Sequence, residues 1–293
     1  MMSLASWYIR HNFSKGDKKR DAGLTTPADV VRYDDISYGR DPKWNLLDVY
    51  RPKDAEGKLP VIISVHGGGW VYGTKEVYQF YCMSLAQRGF AVVNFNYRLS
   101  PEHRYPVQLQ DTDAAFKWVL EHEEEYGFDT RNLFGVGDSA GGQLLSMYCA
   151  ILADPSLGEK FHLTVPEKQF SAVALNCGMY DQKTPEKRDS NNLLISDILG
   201  KGWTEEDLDT MRSAKVIKEG FPPAFVMSAT GDFLREQVDI LVPILEKHHI
   251  DHEVKIYGSE DNVLGHVFHV NVKSDDARVC NGEECAFFRK YIV

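Results

Sequence analysis

Cysteine is scarce in this sequence: Cys82, Cys149, Cys177, Cys280 and Cys285 are the five among 293 residues. The number is odd and no pair stands in CxxC spacing, which argues against a disulfide framework or a zinc knuckle and favours a reducing compartment. No apolar run reaches the roughly 18 residues a membrane-spanning helix requires. The N-terminus turns basic after Met-Met-Ser-Leu-Ala-Ser-Trp-Tyr-Ile-Arg, without the apolar core and small-residue cleavage site of a secretory leader. A cytoplasmic location is the expectation. Positive charge is also short, with 33 Lys and Arg against 43 Asp and Glu, a formal net charge of −10. Such a surface repels phosphate backbones and anionic headgroups, so nucleic-acid and membrane partners are not expected. Any basic ligand patch has to be local. Internal repeats and low-complexity tracts are missing as well.

What remains is ordinary globular composition, 43% hydrophobic and 26% charged, in a chain long enough to bury a large core as one α/β unit over residues 1–293. Val31–Tyr38 and Asn45–Arg51 alternate like half-buried strands around a turn at Gly39 to Pro42. Six further runs read as strands: Val61–Val65, Phe90–Asn96, Leu133–Val136, Phe170–Asn176, Ala224–Ser228 and His252–Tyr257. Leu144, Met147, Tyr148, Ile151 and Leu152 form one helical stripe. Phe116, Val119 and Leu120 mark a second, and Ile240, Leu241, Ile244 and Leu245 a third. The pattern predicts a mostly parallel eight-stranded sheet with helices on both faces, and ligands beyond the carboxyl ends of the strands. Residues 1–30 and the polar stretch 178–221, with helix-like pieces at Asn192–Leu199 and Glu205–Met211, are expected to supply a small lid.

Two glycine-rich turns carry the chemistry. Gly137-Asp138-Ser139-Ala140-Gly141-Gly142 follows one predicted strand and opens one predicted helix. The G-x-S-x-G pattern alone is weak, but in that context its glycines permit a sharp turn that lifts the Ser139 hydroxyl above the sheet. The helix N-terminus behind it favours nearby negative charge. His66-Gly67-Gly68-Gly69-Trp70 directly follows the third strand, where its backbone N–H groups can turn towards an oxyanion. Ser139 needs a base, and the base needs an orienting carboxylate. His266 and His269 both follow the last strand and both qualify; Asp232 follows the seventh strand, with Asp181 as its rival. The order Ser139, Asp232, His266 is that of α/β-hydrolases. His248, His249 and His252 resemble a metal cluster but straddle a helix C-terminus, where cationic groups are favoured anyway.

The stretches HGGGWVYG (66–73), FNYRLSPEHRYP (95–106), GDSAGG (137–142), GDFLRE (231–236) and GHVF (265–268) resemble the hormone-sensitive-lipase-like family of bacterial esterases. The resemblance covers roughly residues 45–290 and implies the α/β-hydrolase fold. It implies Ser139 as nucleophile, His266 as base and Asp232 as acid, with oxyanion donors from Gly68, Gly69 and Ala140. Trp70, Tyr72 and Asp138 are expected on the substrate side, core packing being the alternative for the first two. Tyr97, Arg98 and Glu102 are expected to brace the glycine loop, and Asp111 to head a helix or anchor a loop. Val267 stands where the family usually carries Gly or Ala. The chemistry needs no metal or organic cofactor. The expected substrate is a small ester with a short acyl chain, an acetylated sugar or a small aromatic ester; an arylformamidase or small amidase is the alternative on the same triad. Plant gibberellin receptors resemble this family without its catalytic histidine, so a ligand-binding role is a third reading that the intact Ser139, Asp232 and His266 oppose. A homodimer is compatible with the sequence.

Overall fold

The computed structural model describes residues 2–186 and 189–293. Its strands are β1 (Val30–Ser37), β2 (Leu46–Pro52), β3 (Leu59–Val65), β4 (Ala91–Phe95), β5 (Phe128–Asp138), β6 (Ala172–Asn176), β7 (Ala224–Ala229) and β8 (His252–Tyr257). They form one sheet in the order β1-β2-β4-β3-β5-β6-β7-β8. β2 pairs antiparallel with β1 and with β4; every other pairing is parallel. The central strands are apolar on both sides because both sides are covered: every residue of β4, β6 and β7 is buried. The edge strand β8 alternates instead: Val254 and Ile256 are its exposed residues, while Glu253 and Lys255 are half-buried and paired with Lys290 and Glu283.

The helices are α1 (Leu4–Asp21), α2 (Lys75–Ala86), α3 (Val107–Glu121), α4 (Glu123–Tyr126), α5 (Ala140–Ala153), α6 (Ser190–Leu199), α7 (Glu205–Asp209), α8 (Glu236–Lys247) and α9 (Asp275–Arg289). Side chains alternate across a strand, so β3 feeds two cores. Val61, Ile63 and Val65 pack on one face with Phe116, Leu144, Tyr148 and Leu241 of α3, α5 and α8. Ile62 belongs to the other face, with Tyr78, Cys82 and Leu85 of α2 and Cys285 and Phe288 of α9. All five cysteines are buried and free.

The two segments expected as a lid meet. α1 packs on α6, and Asp197 accepts hydrogen bonds from the Ser3 N–H at 2.9 Å and the Ser6 hydroxyl at 2.5 Å. Arg10 fixes the middle of α1, donating from Nε to the Val71 carbonyl at 2.7 Å and pairing with Glu102. Among the described residues no helix is long and apolar enough to cross a membrane. Asp111 does not head a helix: it lies in the second turn of α3. There it accepts from the Arg98 N–H at 2.8 Å and from the Arg98 guanidinium, which anchors the loop after β4.

Candidate active site

Four strand ends deliver the site. β5 runs into Ser139, whose backbone takes φ 52° and ψ −118°, a left-handed conformation that costs a non-glycine residue ~1–3 kcal/mol. Its surroundings hold it there. The Ser139 N–H donates to the Asn176 carbonyl at the end of β6, and the Ser139 carbonyl accepts from Met179 and Gln143. The turn demands glycine at its far side, since a Cβ on Gly141 would lie 2.0 Å from the Val65 carbonyl oxygen. Ser139 caps α5, so its side chain stands over the helix N-terminus, where developing negative charge is stabilised.

β3 ends in the glycine loop. Gly68 has φ 118°, and a Cβ there would fall 2.1 Å from the Tyr72 carbonyl oxygen, so only glycine fits. Tyr78 of α2 holds the loop from behind: its hydroxyl accepts the Gly67 N–H at 3.0 Å and donates to Asp138 at 2.7 Å. The His66 ring stacks on Tyr97 at 4.0 Å, and the Tyr97 hydroxyl donates to the His66 carbonyl at 2.9 Å. Burial pushes the His66 imidazole down to about 4, so it stays neutral and serves as packing. Among the described residues no hydrogen bond claims the N–H groups of Gly68, Gly69 or Ala140. They are free to donate to a ligand.

β7 and β8 supply the last pair. His266 Nδ1 lies 2.7 Å from Asp232 Oδ1. The loops carrying them are tied by a bridge between Gly231 and Gly265. The same Asp232 oxygen accepts from the Leu234 N–H at 2.9 Å, and its other oxygen accepts from Ser228 at 2.7 Å. Burial raises the Asp232 carboxyl, but these donors, led by His266, outweigh it and hold the group below its ordinary value. Phe233 lies against the imidazole with ring centres 4.3 Å apart. The rivals are engaged elsewhere: His269 is fully buried against Tyr81, and Asp181 pairs with Arg212 at 3.3 Å. Among the described residues no metal-ligand cluster includes His248, His249 or His252; the one carboxylate–thiol–imidazole group is Cys177, Asp232 and His266.

Ser139, His266, Gly68, Tyr72 and Asp138 border one small cavity of about 60 Å³. Gly69 is not among its walls, and neither is Trp70. Trp70 belongs to the core, packed there with its indole N–H donating to the buried Gln143 at 2.9 Å. The Asp138 carboxyl is committed to Tyr78, and burial lifts it to about 6. Sequence reasoning missed Tyr78 and the α1 residues Phe13, Asp17 and Arg20, which also line the cavity. Asp17 accepts from Tyr72 at 2.7 Å and from Arg20 at 2.9 Å. Their only sequence signal was the i, i+3 spacing of Asp17 and Arg20 on a helix.

A family model for BD-FAE matches residues 47–242, which include the glycine loop, Ser139 and Asp232. The chain belongs to the BD-FAE family. Carboxylesterase NlhH of Mycobacterium tuberculosis is 29% identical over 231 residues, 73% of this chain and 70% of NlhH. Esterase LipC of the same organism is 33% identical over 160 residues, and that match spans only 38% of LipC. Among solved structures, esterase B from Lactobacillus rhamnosis, inhibited by a C4-C4 SN3 tributyrin phosphonate, is 28% identical. It covers 98% of this chain and 93% of its own at a TM-score of 0.89. The fold is that of the α/β-hydrolase esterases.

Proposed function

We propose that this chain is a serine carboxylesterase acting on small esters with short acyl chains. The reading rests on one observation above the others: a serine held at φ 52° on a helix N-terminus shares a cavity with an imidazole that is hydrogen-bonded at 2.7 Å to a buried carboxylate. Ser139 attacks the ester carbonyl while His266 Nε2 takes its proton. Asp232 holds Nδ1–H and so fixes the tautomer. The N–H groups of Gly68, Gly69 and Ala140 receive the oxyanion, and each such donor is worth about 3–4 kcal/mol of barrier. The imidazolium then protonates the leaving alcohol, and water cleaves the acyl-enzyme by the same route. The residues of the triad and the oxyanion loop complete this sequence by themselves.

A cavity of about 60 Å³ closed by Phe13, Asp17 and Arg20 favours acetyl to hexanoyl chains over long ones. The C4-C4 tributyrin phosphonate that inhibits esterase B points to the same substrate size. A ladder of p-nitrophenyl esters, run beside N-formylkynurenine, tests the reading. Catalytic efficiency should peak within the short esters; an efficiency rising steadily to dodecanoate, or a preference for the formamide, would overturn it.

A further inference from the structure

α1 has two faces of different chemistry. Its inner face reaches the cavity through Phe13, Asp17 and Arg20 and is fastened by Arg10, Ser3 and Ser6. At 100° per residue, Trp7, Tyr8, His11, Lys15, Lys18 and Lys19 fall within about 120° of arc on the opposite side. All six are exposed, and no carboxylate shares that arc. Trp7 and Tyr8 expose 52% and 62% of their surface, and Leu4 beside them 79%. Trp7 and His11 stack with ring centres 5.2 Å apart, which presents a flat aromatic plate. A shallow groove runs along the same side between Trp7, His11, Lys15 and Lys18.

On a chain of net charge −10 this stripe is an inversion of sign, and it joins aromatic groups to lysines. The helix turns Ile9 and Phe13 inward with the hydrogen-bonded Ser6, Arg10, Asp17 and Arg20, and leaves Trp7 and Tyr8 outside. An aromatic and basic stripe on a helix lying along a surface is the composition that settles at a lipid–water boundary, with Trp and Leu entering the headgroup layer and lysines meeting anionic groups. The site's rim exposes an apolar ring of its own: Phe233, against His266, is 70% exposed.

We propose that the outward face of α1 docks on an anionic lipid surface and sets the mouth of the cavity beside it. The attraction is local, since the rest of the molecule is repelled by such a surface, and it therefore fades within a Debye length and with added salt. Trp7, Tyr8 and Leu4 supply the apolar hold and Lys15, Lys18 and Lys19 the charge.

The test is co-sedimentation of the full chain with vesicles of phosphatidylcholine mixed with phosphatidylglycerol, against vesicles of phosphatidylcholine alone. Binding is read without turnover, so it stands or falls separately from the esterase reading. The chain should partition onto the anionic vesicles and be released by salt. The triple variant K15E/K18E/K19E should bind at least about tenfold more weakly, each lysine contributing near the surface, while hydrolysing soluble p-nitrophenyl acetate as the parent does. The double variant W7A/Y8A should weaken binding at high salt as well as low. Three results would overturn the proposal: no binding to anionic vesicles at low salt, equal binding to both vesicle types, or a dimer in solution that buries Trp7 and Tyr8.

Discussion

At the scale of single residues the site divides into groups that carry charge and groups that hold them still. Asp232 carries charge, and its depressed pKa means it remains ionised down to below its ordinary value of 3.8. Its stabilising contribution is therefore present above that value and is lost only as pH falls through the lower, folded one. Loss of turnover near neutrality must come from another group. Asp232→Asn should lower kcat by about 10⁴, through the wrong imidazole tautomer, whereas Asp181→Asn should leave turnover close to the parent's. The same kinetics should rank His266→Ala far below His269→Ala. Tyr78 only holds. Tyr78→Phe strands the Gly67 N–H and the buried Asp138 carboxyl at once, so it should cost about 1–3 kcal/mol in urea unfolding and lower kcat more than it raises KM. Ser139 and the glycine loop were legible because strand, glycine and helix signals coincide in the chain. Tyr78 was not, because its role is set by where α2 packs. For Trp70 the structure shows the core packing that the sequence left open as its alternative, since adjacency to the glycine loop does not fix which way a side chain points.

At the scale of elements, all eight strands were readable: buried parallel strands because they have to be short apolar runs whatever their neighbours, and β1, β2 and β8 because their sequences alternate. α1 was not. Its inner face sets Ile9 and Phe13 among Ser6, Arg10, Asp17 and Arg20, which are held by hydrogen bonds, so it shows no continuous apolar stripe. α2 escaped for the opposite reason: Tyr78, Tyr81, Cys82 and Leu85 keep helical spacing, but tyrosines and a cysteine occupy positions where aliphatic residues are looked for. Of the two segments expected as a lid, α1 lines the cavity, while 178–221 contributes α6, which packs on α1. Removing the ring at the cavity's α1 wall should lengthen the accepted chain. Phe13→Ala is expected to move the optimum of the ester ladder to longer acyl groups, because each added methylene can then be buried for about 0.8 kcal/mol. An unchanged optimum would place the length limit elsewhere.

At the scale of the whole molecule, a second buried polar group shapes stability. Glu284 of α9 lies fully inside the protein beneath β6, accepting from Tyr81 at 2.9 Å and Asn176 at 2.6 Å. Burial outweighs both donors and raises its carboxyl from 4.5 to about 7. The native state therefore keeps a proton that the unfolded chain gives up, and stability falls as pH rises through that window. Glu284→Gln should flatten the dependence, removing about 3 kcal/mol of the decline between pH 4.5 and 7.5 in urea titrations. A parent whose stability rises over that range would contradict the assignment. The central claim concerns Ser139, and one measurement reaches it directly: reaction of the folded chain with a fluorophosphonate, followed by mass spectrometry of its peptides. A single adduct on the Ser139 peptide, lost in Ser139→Ala together with ester turnover while the urea midpoint stays comparable, is the predicted result. An adduct on another serine, or turnover that survives in Ser139→Ala, would contradict it.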